Sequence, residues 1–156
     1  MTSLRLAACA AIAVCLASAA GAQGTAVSSP DGRTVVSLAV TNGQLRWSVA
    51  RDGTLVVTPS RLGFTFRNAP ALGDGLRMVD SVRSDVDETF SLPLGEVARV
   101  RDRHHELRVK VAETNASERE FWVVVRVFDD GLGFRYELPD QPNLKDFEIM
   151  DELTEF

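Results

Sequence analysis

The chain has 156 residues, of which 25% are charged and 45% are apolar or aromatic, the composition of a globular domain rather than of a disordered one. It carries 17 basic and 22 acidic side chains, a formal net charge of -5, and no basic block, which argues against a nucleic-acid partner. No apolar run long enough to cross a bilayer follows the N-terminal region.

The first element is a leader. Arg5 precedes an Ala-rich apolar run from Leu6 to Ala19, and Ala20-Gly21-Ala22 supplies small residues. A charged start, an apolar core and a small-residue site form a secretory signal. Residues 1–22 are therefore expected to be a signal peptide, and residues 23–156 the exported domain, periplasmic or secreted. Leu6-Ala7-Ala8-Cys9 has the outline of a lipoprotein box, but too little apolar sequence precedes Cys9, which disfavours lipid anchoring. Both cysteines, Cys9 and Cys15, fall in this leader, so the domain itself has no thiolate site and no disulfide.

Strand signals follow. In Thr34 to Val40, alternation places Val36, Leu38 and Val40 on one face. Asn42-Gly43 is a tight-hairpin signal, and Leu45, Trp47 and Val49 repeat the period of two on the way back. Asp52-Gly53 gives a second turn before Leu55-Val56-Val57, and Leu62, Phe64 and Phe66 alternate again.

The acidic stretch Asp85-x-Asp87-Glu88 opens like a calcium loop. Thr89 and Phe90 stand where that loop needs glycine and further oxygen ligands, so a solvated acidic loop is the expectation. His104 and His105 are adjacent. Neighbours on a strand point to opposite faces and cannot share one metal, so a surface or loop role is expected for the pair.

Leu107, Val109 and Val111 alternate with Arg108 and Lys110, a strand with one wet face. Phe121 to Phe128 is apolar on both faces apart from Arg126, as in a central strand covered on both sides. Asp129-Asp130-Gly131 turns the chain into Gly133 to Leu138, with the aspartates accepting local backbone hydrogen bonds. Asp146 to Met150 opens a last strand. No helical stripe interrupts this series, and short strands separated by turns make an all-β sandwich. Nucleotide-binding glycine fingerprints and a nucleophile elbow are missing from the sequence.

Five motifs, taken in order, carry a resemblance. They are Ser29-Pro30-Asp31-Gly32; Val86-Asp87-Glu88-Thr89; Gly95-Glu96 with Arg101-Asp102 and Glu106-Leu107; Asp130-Gly131-x-Gly133-Phe134-Arg135-Tyr136; and Asp151-Glu152-Leu153-Thr154-Glu155-Phe156. The series resembles the N-terminal domain of glycoside hydrolase family 97, bacterial α-glucosidases and α-galactosidases, over nearly all of residues 27–156. Two departures stand out. The family's Trp after Asp-Glu-Thr is Phe90 here, and its Arg-Asp-His-Tyr-Asn-Glu-Leu segment has Arg103-His104-His105 at its middle three positions.

The resemblance implies a galactose-mutarotase-like β-super-sandwich, incomplete at its C-terminal end, that packs on a (β/α)8 barrel of the same protein. It also implies carbohydrate as the partner and calcium for the full-length protein. The catalytic carboxylates and most calcium ligands belong to the barrel, so no catalytic residue, metal ligand or cofactor of its own carries over to this chain. Glu96, Arg101, Asp102 and Glu106 become candidates for the domain interface or the active-site wall. Two other readings compete: a stand-alone envelope carbohydrate-binding or adhesion sandwich, and a small sandwich enzyme using Glu96, Asp102 or Glu106.

Overall fold

A computed structural model describes residues 23–93 and 98–156. The expected leader, both cysteines and Glu96 lie outside the described residues. The regular structure described is entirely strand: β1 (Gln23–Ser28), β2 (Thr34–Thr41), β3 (Gln44–Arg51), β4 (Thr54–Arg61), β5 (Phe64–Phe66), β6 (Leu76–Ser91), β7 (Arg99–Glu113), β8 (Glu120–Val127), β9 (Leu132–Glu137) and β10 (Ile149–Glu152). All pairings between them are antiparallel.

The turn chemistry sets the register. Asn42 and Gly43 both have positive φ (53° and 75°), as do Asp52 and Gly53 (50° and 78°), the backbone of tight hairpin turns whose twist matches the flanking strands. Sheet order is β1-β2-β3-β4 in one layer and β6-β7-β8-β9 in the other, with β5 and β10 forming a short pair of their own.

The layers close face to face over one core. Val36, Leu38, Val40, Leu45, Trp47 and Val49 come from the first sheet, and Leu107, Val109, Val111, Phe121, Val123, Val125 and Val127 from the second. The alternations read in the sequence are thus the core faces. Leu62, Phe64 and Phe66 are buried as well. At one end, Arg119 donates to both oxygens of Glu113 (2.7 and 2.6 Å) and to the carbonyls of Pro70 and Ala71 (2.8 and 3.2 Å). That fork pins the turn between β7 and β8 to the loop after β5, and both side chains are buried.

Several sequence expectations are revised. The acidic run Asp85–Glu88 is not a loop but the middle of β6, paired residue by residue with β7. Its charges hid its strand character. β7 itself reaches back to Arg99, so both histidines sit in a strand rather than in a loop. β10 starts at Ile149, because Asp146 has a positive φ of 50° that interrupts the extended chain before it. β8 is covered by a second sheet on one face only. On its other face Val124 is buried, while its neighbours Trp122 and Arg126 are partly exposed. Long side chains of β7 and β9 do the covering there.

The exposed edges carry their own protection. β6 is an edge strand with an irregular register between Met78 and Asp80 and with Asp80, Asp85, Asp87 and Glu88 exposed along it. β4 has Pro59 and two register shifts. Charge, bulge and proline all disfavour edge-to-edge pairing.

Candidate functional site

The three described candidates, Arg101, Asp102 and Glu106, all lie on β7. Strand alternation sorts them. Leu107, Val109 and Val111 face the core, so Asp102, His104, Glu106, Arg108 and Lys110 share the outer face. Arg101 lies on the opposite face, where its guanidinium forks onto Asp87 at 2.8 and 2.7 Å. That hydrogen-bonded fork holds the Asp87 carboxyl below its ordinary range, but both side chains are more than half exposed, so the pair contributes little to stability. Asp102 and Glu106 are brought together on one face and Arg101 is not.

His104 overturns the surface expectation. It is 1% exposed, set between its cross-strand neighbour Val86 and the ring of Phe128, whose centroid lies 4.9 Å away. Its Nδ1 bonds the Asp102 carboxylate, and its Nε2 is buried with no partner. His105, on the other face, donates from Nδ1 to the Ser28 carbonyl at 2.9 Å. The pair is split across the sheet as strand geometry requires. Asp129 also departs from a purely local turn role. Its Oδ1 accepts the Asp31 N–H at 2.8 Å and its Oδ2 meets Arg103 at 3.2 Å, tying the β8–β9 turn to the corner between β1 and β2.

Beyond Asp102 and His104 the outer face becomes a lattice of ion pairs. Arg126 Nε donates to Glu106 at 2.7 Å. Glu137 accepts from Arg108 at 2.6 Å and from Arg135 at 2.7 Å. Lys110 meets Glu120 at 2.6 Å, and the Arg108 guanidinium lies over the Trp122 ring, 5.0 Å from its centroid. Hydrogen bonds from Arg135, joined by the charge of Arg108, hold the Glu137 carboxyl below its ordinary value despite a small burial cost. Between the arginines is an open depression of about 200 Å³ lined by Val124, Arg126, Phe128, Gly133, Phe134 and Arg135.

This arrangement presents oriented donors and acceptors beside a small apolar floor. It suits binding better than proton transfer. Glycoside cleavage needs one carboxyl kept protonated near neutrality, and the arginines around Glu137 do the reverse. Among the described residues no group of three or more His, Cys, Asp or Glu side chains is placed to hold a metal ion, because the Asp85–Glu88 run alternates across the two faces of β6.

Sequence reasoning missed Arg126, Gly133, Arg135 and Glu137 as members of this face. The period of two in β8 and β9 contains the signal, since it sets Trp122, Val124 and Arg126 beside Gly133, Arg135 and Glu137.

Comparison with known proteins agrees with this fold. The family model described as "Glycosyl-hydrolase 97 N-terminal" matches residues 27–156. A retaining α-galactosidase of Bacteroides thetaiotaomicron is 21% identical over 130 residues, 83% of this chain and 18% of that protein. A probable retaining α-galactosidase of Streptomyces bingchenggensis is 37% identical over 120 residues, 74% of this chain and 17% of that protein. Among solved structures, a glycoside hydrolase family 97 enzyme from a Pseudoalteromonas strain, in complex with panose, superposes with a TM-score of 0.80 at 29% identity, over 83% of this chain and 20% of that one. The chain spans about a fifth of the length of these relatives. By the extent of the family match, the chain belongs to the N-terminal domain family of glycoside hydrolase family 97.

Proposed function

We propose that this chain is the non-catalytic, carbohydrate-facing N-terminal domain of an exported α-glycosidase. In this reading the hydrolysis of α-glucosides or α-galactosides, and the calcium that goes with it, belong to a catalytic barrel outside these 156 residues. Asp102 and Glu106 support or wall the active site from the outer face of β7. The observation that carries the reading is the lattice itself: Arg126 holds Glu106, and Arg108 and Arg135 hold Glu137, keeping the Glu137 carboxyl below its ordinary value, the reverse of what a general acid requires. The relatives, a retaining and a probable retaining α-galactosidase, support the α-galactoside class. Export rests on the charged, apolar and small-residue pattern of residues 1–22, and a periplasmic or secreted location follows from it.

The test is turnover. The chain alone should release no p-nitrophenol from its α-galactoside or α-glucoside, whereas the intact enzyme containing it should. Release by the chain alone, lost on Glu106→Gln, would overturn the proposal in favour of a small sandwich enzyme.

A further inference from the structure

Gly133 has no local reason to be glycine. It lies inside β9, where a residue without a side chain weakens a strand. Its φ is not in the left-handed region, so the backbone does not require it. A Cβ built there meets nothing within 4 Å, so packing does not require it either. The β8–β9 register runs unbroken through it, so no bulge accounts for it, and a strand glycine without a bulge or bend suits close approach by a ligand or another backbone.

The surroundings define what that is. Gly133 and Phe128 contribute an apolar floor to the depression, with Val124 buried beneath it, and Arg126 and Arg135 flank it. Arg126 engages Glu106 through Nε, and Arg135 engages Glu137 through Nε and Nη2. Guanidinium N–H groups remain free on both sides. Arg126 is matched by Glu106, while Glu137 is shared by Arg135 and Arg108, so ion pairs already offset most of the charge of the flanking guanidinium groups. Glu106 and Glu137 stand outside the lining, one hydrogen bond behind Arg126 and Arg135, where their charge disfavours an entering anion. A neutral pyranose fits both features: adjacent hydroxyls accept from the guanidinium N–H groups, and the C–H face of the ring lies on the bare strand at Gly133.

We propose that this depression holds one neutral hexopyranose unit of a glycan. The proposal rests on the carbohydrate-facing reading above and gives it a place.

The experiment is an NMR titration of the isotope-labelled chain with methyl α-galactoside and methyl α-glucoside, with acetate as the charged control. For a single sugar ring on an open site, shifts centred on Gly133 and on the Nε–H groups of Arg126 and Arg135 should saturate with a Kd on the order of 1–10 mM. Gly133→Val should raise that Kd at least about tenfold, which is about 1.4 kcal/mol of affinity, with a thermal midpoint equal to or above that of the wild type. If Gly133→Val lowers the midpoint, Arg135→Gln carries the test and should weaken binding several-fold. Three results would overturn the site: no shifts at Gly133 with either glycoside, unchanged sugar binding in both variants, or the same shifts with acetate. Any of these leaves the turnover result above standing, so failure of the site and failure of the functional reading are distinguishable.

Discussion

The two faces of the β7–β8–β9 sheet are made from interleaved residues yet obey different physics. On the inner face Phe121, Val123, Val125, Val127, Leu107, Val109 and Val111 are all at most 1% exposed, and area removed from water stabilises the fold. On the outer face Trp122, Arg126, Arg108 and Lys110 are only partly buried, and ion pairs set orientation more than stability. The contrast separates the face where the domain keeps its stability from the face that carries the proposed site.

The largest test of that contrast compares sequence neighbours. Phe121→Ala should cost about 3–5 kcal/mol in chemical denaturation, as expected for a filled aromatic core site. Trp122→Ala, one residue along, should cost about 1–2 kcal/mol, from lost packing and the Arg108 contact. Equal losses would break the distinction between the faces.

The buried Glu113–Arg119 pair sharpens it in a different way. Glu113→Gln should cost about 3 kcal/mol, because Arg119 would be left charged and unmatched in a buried site. Burial alone would raise the Glu113 pKa, but the hydrogen bonds and charge of Arg119 outweigh it and hold the value below the ordinary 4.5. A carboxyl depressed in the folded state adds stability that is complete above its unfolded pKa and fades as pH falls through the folded one. Urea midpoints from pH 6 downward should therefore drop more steeply for the wild type than for Glu113→Gln. Parallel curves would contradict the pairing.

Outer-face changes should be small. Gly133→Val should stabilise by about 0.5–1 kcal/mol, since it gives a strand a β-branched residue in open space. Arg135→Ala should stay within about 0.5 kcal/mol of the wild type. A large loss from either would move the outer face into the structural class.

The sequence showed what periodicity can show. Val36, Leu38 and Val40, Leu45, Trp47 and Val49, and Leu107, Val109 and Val111 were legible as core faces because apolar and polar residues alternate with the strand pleat. β6 was not, because on its distal half one face carries Arg83, Asp85 and Asp87 and the other carries only isolated apolar residues such as Val82, Val86 and Phe90, which leaves no apolar stripe to read. His104 was misplaced for a related reason. Its burial depends on Val86 across one strand and Phe128 across the other, and such lateral partners exist only once register is set. Of the candidate site, Asp102 and Glu106 were found through resemblance, while Arg126, Gly133 and Arg135 emerged only when β8 and β9 were laid beside β7.

The central claim is that these residues shape and support a site without performing its chemistry. It is tested most directly by kcat of the intact enzyme proposed above, carrying Glu106→Gln or Asp102→Asn. The account predicts that each variant retains kcat within about tenfold, with the larger change in KM, as for groups that bind rather than react. A fall of about 10⁴-fold in kcat at unchanged stability, the scale of losing a catalytic group, would contradict it.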